Sequence, residues 1–147
     1  MTKLLDENVT TQIREVFAEL KQPVHVLFFG RDQGCDYCND TRQLAEEVVE
    51  LSDKLSLSVY DLDTDAEAAQ RYNMDKAPGL VIAAKDGNQI IDLGIRYAGI
   101  PSGHEFTSFI QDCLLASSRD SGLSADARAF LKALTKPVNL QVFVTPT

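Results

Sequence analysis

The chain is short of cysteine, of positive charge and of long apolar runs, and each shortage removes a class of protein. It holds 147 residues and three cysteines, Cys35, Cys38 and Cys113. An odd, low count is not the disulfide framework of a small secreted domain. Fourteen Lys and Arg stand against 22 Asp and Glu, a formal net charge of −8. That balance argues against nucleic acid or an anionic membrane as partner. No apolar run approaches the ~18 residues that a transmembrane helix needs. The opening Met1-Thr2-Lys3-Leu4-Leu5-Asp6-Glu7-Asn8 has acid where a secretory signal would be apolar. The chain therefore reads as cytoplasmic. It also lacks a Gly-rich phosphate loop, a Ser/His/Asp arrangement and a basic patch, so no organic cofactor is implied.

What is present fits one compact domain, since a core of this size needs no disulfide to hold it together. The order of its parts is set by one stretch. The apolar run Val24-His25-Val26-Leu27-Phe28-Phe29 reads as a central strand buried on both faces. It leads through Arg31-Asp32-Gln33-Gly34 into Cys35-Asp36-Tyr37-Cys38, and helical periodicity follows in Leu44, Val48, Leu51 and Leu55. That helix is expected from about Cys35 to Lys54.

Around it, an amphipathic helix is expected at 6–21, capped by Asp6 or Asn8. A second strand falls at 57–62. Thr64-Asp65-Ala66-Glu67 has a capping-box pattern opening a short helix to Tyr72. Strands at 80–84 and 89–98 are joined by the hairpin turn Asp86-Gly87-Asn88. A second capping-box pattern, Ser102-Gly103-His104-Glu105, opens a helix that places Phe106, Phe109, Ile110, Cys113 and Leu114 on one face. The fold class is α/β: a mixed sheet of about four strands with helices on both faces.

The polar stretch 117–123 reads as a linker, after a unit spanning 1–116. Beyond it, 124–135 is helical. Leu134 to Val144 then echoes Leu20 to Gly30 at a constant offset of 114 residues, with Leu20/Leu134, Pro23/Pro137, Val24/Val138 and Phe29/Phe143 matching. Residues 124–147 read as the first helix and strand of a second, truncated copy.

The residues themselves admit three readings of Cys35 and Cys38: a redox dithiol, half of a zinc site, or a structural disulfide. A Cys-x-x-Cys beside a βαβ pattern favours redox. Zinc needs four ligands, and only Cys113, His25 and His104 remain, with no second pair at ligand spacing. No metal is expected. Exchange needs an exposed thiolate and a second thiol to resolve the mixed disulfide. A helix start at Cys35 would favour its thiolate through unpaired N–H groups and the macrodipole. Cys35 is thus the expected nucleophile and Cys38 the resolving thiol. Asp32, Asp36 and Asp40 oppose ionisation, so Cys35 is expected to be less acidic than the thiol of a strongly oxidising enzyme. A buried, inert thiol is expected at Cys113, a satisfied core histidine at His25, and a surface or capping residue at His104.

The strand Val24–Phe29, Cys35-Asp36-Tyr37-Cys38 and Ala77-Pro78 some 40 residues on resemble the thioredoxin/glutaredoxin superfamily. The segments 72–78, 96–106 and 142–147 are similar to the tandem protein disulfide oxidoreductases, or glutaredoxin-like proteins, in particular to their N-terminal unit. The resemblance implies a thioredoxin fold, a cis bond at Pro78, and substrate contacts from Tyr37, Ala77 and Pro78. It implies protein disulfides as substrates, with a thiol reductase or small thiol as electron donor. It further implies reduction or exchange of protein disulfides as the activity. Alternatives are a relay module for a peroxiredoxin system, a non-catalytic structural unit, or, less favoured, an iron–sulfur carrier. Thioredoxins carry a buried Asp with a Lys partner beneath the dithiol. Here spacing places Phe29 and Val59 there, leaving water or the weak candidates Asp61 and Asp63 to take the proton of Cys38.

Overall fold

A computed structural model describes residues 2–145. Helix α1 (Glu7–Phe17) opens on Asp6, whose carboxylate accepts from the amide of Val9 at 2.8 Å. The helix is shorter than its periodicity predicts. Its last groups are satisfied by i→i+3 bonds from Glu19 to Val16 and from Leu20 to Phe17, a tightening usual at helix ends. These still carry Leu20 into the core.

Strand β1 (Val24–Gly30) is buried at every residue. It pairs in parallel with β2 (Leu55–Asp61) and antiparallel with β3 (Gly79–Asp86), which pairs antiparallel with β4 (Gln89–Ala98). The order is β2-β1-β3-β4, the four-stranded mixed sheet that the alternating pattern implies. The β3–β4 turn is the two-residue loop Gly87–Asn88, with Gly87 at φ +57°. The ladder is interrupted between Ile82 and Ala83, where β4 carries Leu93 and Gly94 as extra residues.

Alternation along β1 splits the core in two. Val24, Val26 and Phe28 pack with α1, with α2 (Cys38–Val49) and with α4 (His104–Ser118). Leu27 and Phe29 point to the other face, against Leu62, Tyr72 and Met74 around α3 (Ala66–Arg71). His25 also faces this side, buried, with its ring nitrogens at 2.7 Å from the Ser56 hydroxyl and 2.8 Å from that of Ser58. It is the satisfied core histidine expected. Cys113 is fully buried on α4.

Further expectations need correction. Helix α2 starts at Cys38, so Cys35 lies three residues before it. The residues between α2 and β2 form turns rather than continuing the helix to Lys54. Neither capping box forms: α3 and α4 follow Asp65 and Gly103 without a side-chain cap. The carboxylate of Asp65 instead accepts from the amide of Asp61 at 2.8 Å. Ser117 and Ser118, expected in the linker, belong to α4, which stops at Arg119 in a left-handed conformation (φ +57°).

After α4, α5 (Ala125–Lys132) forms on the cap of Ser124. The expected strand at 138–144 does not pair. Val138, Leu140, Val142, Phe143 and Val144 are exposed and irregular, and the segment pairs with neither edge strand, β2 or β4. Pro146 and Thr147 of the resembling segment 142–147 lie outside the described residues.

Candidate redox site

Register alone brings the two halves of the site together. Gly30 ends β1, and Phe29 pairs with Gly79 at the start of β3. The loop after β1 and the loop before β3 therefore leave the same end of the sheet. The first carries Cys35 and Cys38, the second Ala77-Pro78. The two cysteine sulfurs are bonded, with Cα atoms 5.5 Å apart. The Ala77–Pro78 peptide is cis, as the resemblance implies.

The two thiols differ in access. Cys35 is partly exposed, while Cys38 is buried at 5% of its surface. Tyr37 stands between them at 59% exposure, an aromatic face open to solvent. Main-chain geometry holds this loop. Thr41, fully buried, donates its hydroxyl to the Tyr37 carbonyl at 2.7 Å, and its amide makes the first helical bond to the same oxygen at 2.9 Å. The Arg31 amide donates to the Cys38 sulfur at 3.4 Å. Across from it, the Pro78 carbonyl accepts from Gly99 at 2.8 Å. Among the described residues, the N–H and C=O of Ala77 make no hydrogen bond.

Phe29, which spacing places beneath the dithiol, instead faces α3 on the other side of the sheet; the apolar side chains that border Cys38 are Phe28 and Val59. The Phe29 ring stacks on Tyr60 at 5.2 Å and lies tilted against Tyr72 at 6.2 Å. Neither Phe29 nor Val59 can take a proton. Asp61 is no better placed as a base. Its carboxylate accepts from the amides of Asp63 (2.8 Å), Thr64 (3.1 Å) and Asp32 (3.2 Å). These bonds, led by that of Asp63, hold its pKa below the usual carboxylate value. Asp63 pairs with Arg31 at 3.2 Å on the surface. Both acids play the local structural part that sequence made their default. Of the remaining acids, Asp32, Asp36 and Asp40 are exposed around the loop. No cluster of His, Cys, Asp and Glu able to hold a metal occurs among the described residues.

Sequence reading missed Thr41 and the Arg31 amide. A threonine inside a helix carries no signal of its bond to the preceding turn, and a main-chain donor carries none at all.

A four-stranded mixed sheet flanked by helices, with a Cys-x-x-Cys at the end of its central strand and a cis-proline opposite, defines a thioredoxin-fold unit with a redox-type disulfide. Its similarities lie with the thioredoxin-like units of disulfide oxidoreductases. The chain is 30% identical over 132 residues to the alkyl hydroperoxide reductase component AhpF of Pseudomonas aeruginosa, covering 89% of this chain and 22% of that protein. It superposes on a protein disulfide oxidoreductase from Aeropyrum pernix with a TM-score of 0.77 at 28% identity, covering 90% of this chain and 57% of the other. The NTD_N/C domain of alkylhydroperoxide reductase AhpF from Enterococcus faecalis gives a TM-score of 0.77 at 27% identity, over 90% of this chain and 62% of that one. No protein-family model matches. The chain thus spans about a fifth of the curated relative and little over half of the solved disulfide oxidoreductase. The resemblance read from Cys35–Cys38 and Ala77-Pro78 is borne out. Among the described residues, no helix is long and apolar enough to cross a membrane.

Proposed function

We propose that this chain is a thiol–disulfide oxidoreductase unit acting through Cys35 and Cys38. One observation carries the reading: a partly exposed Cys35 is disulfide-bonded to a buried Cys38 at the end of the sheet that also carries the cis Ala77–Pro78 peptide. In the reduced form, the Cys35 thiolate attacks one sulfur of a substrate disulfide. The substrate S–S bond breaks, one substrate sulfur leaves as thiolate and is protonated, and a Cys35–substrate disulfide forms. Cys38 thiolate then attacks Cys35, closing Cys35–Cys38 and releasing the second substrate thiol. An extended substrate segment can pair with Ala77 in the manner of an added strand, with Pro78 fixing the loop and Tyr37 covering the bound chain. The partners are protein disulfides and a thiol reductase or small thiol that returns the electrons. The low, odd cysteine count supports a cytoplasmic setting.

The test uses two variants. Cys35→Ser should abolish reduction of a model protein disulfide, and Cys38→Ser should accumulate mixed disulfides. Turnover that survives Cys35→Ser refutes the reading.

A second reading draws on the similarity to the alkyl hydroperoxide reductase component AhpF: the dithiol passes electrons to a peroxiredoxin. Fast turnover with a peroxiredoxin and none with a general protein disulfide would favour that relay. The accessibility of Cys35 speaks against a purely structural unit.

Residues 124–147 are the opening of a second unit in this reading. The echo at offset 114 aligns Leu131 and Leu134 with Phe17 and Leu20. The latter pair is buried in the core, while Leu131 and Leu134 are exposed. A longer chain that continues past Thr147 with another Cys-x-x-Cys would support this, and one that continues without it would oppose it.

A further inference from the structure

We propose that Asp61 is a positioning residue for the resolving thiol: it ties down the loop after β1 and so aims the Arg31 amide at the Cys38 sulfur, favouring the thiolate in which Cys38 attacks. The inference rests on the exchange reading above.

Cys38 must lose a proton before it can resolve a mixed disulfide, yet its sulfur is buried and no carboxylate or imidazole among the described residues is hydrogen-bonded to it. Its one directed donor among them is the Arg31 amide, at 3.4 Å. Such a bond strengthens as the sulfur becomes anionic. What fixes that amide is the end of β2. Asp61 is the last residue of β2 and pairs in register with Gly30. Its Oδ2 accepts from the amide of Asp32, the residue after Arg31, at 3.2 Å. Its Oδ1 is held by the amides of Asp63 and Thr64, and its own amide donates to Asp65. The Leu62 amide meanwhile donates to the Gly30 carbonyl at 2.9 Å. Arg31 is therefore bracketed on both sides by bonds to one rigid strand end, and Asp61 supplies the outer bracket.

The same strand end borders a groove of about 220 Å³ that reaches Cys38. Arg31 and Asp32 face it from the loop, Arg42 from α2, Asp61 from β2, and Asp65 from the start of α3. Water there can carry the Cys38 proton to solvent. Two guanidiniums against three carboxylates give the groove no net positive charge. The charges lining it thus do not favour the thiolate, and the directed amide does. Asp61 acts by geometry and not as base, since three amides already bind its carboxylate.

In the step concerned, Cys38 thiolate attacks the Cys35 sulfur of a mixed disulfide. The Cys35–Cys38 bond forms, the bond from Cys35 to its partner sulfur breaks, and that sulfur leaves with the electron pair. With 5,5′-dithiobis(2-nitrobenzoate) as partner, rapid mixing with the reduced chain gives two releases of thionitrobenzoate. The first reports Cys35 and the second reports Cys38. Asp61→Ala should slow the second release about tenfold at neutral pH and raise its pH midpoint by about one unit, with the first release changed less than twofold. Asp61→Asn, which keeps an acceptor oxygen, should recover part of the loss. In the unmodified reduced protein, the Arg31 amide proton shift should titrate at the midpoint of the second release. A second release whose pH profile is the same in Asp61→Ala overturns the proposal, as does equal slowing of both releases. Should Asp61→Ala fail to fold, an Arg31 amide that ignores the midpoint overturns it. Absence of any second release in the unmodified protein overturns the exchange reading itself.

Discussion

Ser117, near the end of α4, closes a two-way bond with Gln22 in the segment before β1. Its hydroxyl donates to the Gln22 carbonyl at 2.8 Å and accepts from the Gln22 amide at 2.9 Å and the Lys21 amide at 2.7 Å. One buried hydroxyl thus satisfies three main-chain groups where the chain turns from α1 into the sheet. Ser117→Ala leaves them to find water. Removing the partner of such groups costs about 1–2 kcal/mol, or a fall in Tm of about 3–6 °C for a domain of this size. Thermal unfolding of the oxidised protein measures it, and an unchanged Tm would show that solvent already shares these bonds.

His25 gives the fold a pH dependence near neutrality. It lies between Ser56 and Ser58, with Lys85 bonded to Ser56 at 3.3 Å. Burial first, and then the Lys85 charge, lower its pKa from 6.5. Its neutral form is therefore the native one. Above pH 6.5 the ring is neutral in both states and its contribution is complete. Below that, the unfolded chain takes up a proton that the folded chain refuses. Each pH unit then costs about 1.4 kcal/mol, until His25 itself protonates. Urea midpoints followed from pH 7.5 down to 5 should fall, and His25→Gln should flatten that slope. A slope left intact by His25→Gln would place the titration elsewhere.

How much of this was written in the sequence can be said residue by residue. The strand Val24–Phe29, the dithiol after it and Ala77-Pro78 were legible because apolar runs and short motifs are local. The four-stranded sheet followed from strand lengths and one tight turn. The start of α2 was not legible: the Cys35–Cys38 bond and the Thr41 bonds to Tyr37 decide where the helix begins, and periodicity reports which side is buried, not where the first turn closes. The capping box at Thr64–Glu67 failed for a related reason. Asp61 and Asp65 face each other across a strand end, and that pairing takes the place of the local cap. Ser117 read as linker because a buried serine and an exposed one look alike until their partners are known.

Cys113 should be silent in every thiol assay on the folded protein. Burial, with the Asp112 charge beside it, pushes its thiol up to about 12. The thiolate is the reactive species, and the sulfur is fully buried. The reduced native chain should therefore yield two reactive thiols to a small reagent, and the third only when denaturant is added. Fast labelling of three in native buffer would mean that α4 opens far more readily than its packing implies.

Asp36 sits beside Cys35, exposed and, among the described residues, without an ion-pair partner. Replacing it with Asn removes a charge that opposes the Cys35 thiolate. The rate of Cys35 alkylation at neutral pH should rise about twofold at low salt. The gain should vanish near 1 M salt, where screening acts within ~3 Å. A gain that persists at high salt would point to a change in loop conformation instead of charge.

Gly30 separates two effects that a substitution at a redox site usually mixes. A Cβ there would stand 2.7 Å from two atoms of the Phe28 ring and 3.5 Å from the Cys38 sulfur. The first contact is far too close, so the buried Phe28 ring must shift. The second is an ordinary contact. Gly30→Ala should therefore destabilise the fold by about 1–3 kcal/mol, the usual cost of overpacking. The ring is displaced whether or not the disulfide is closed, so oxidised and reduced forms should lose the same amount. The stability difference between the two forms is what sets the reduction potential by linkage. Denaturation of both forms should accordingly give equal losses, and equilibration with a glutathione buffer should return an unchanged potential. A larger loss in the oxidised form, with a matching rise in potential, would mean that the displaced Phe28 ring pushes on Cys38 and that the dithiol is tuned from the core beneath it.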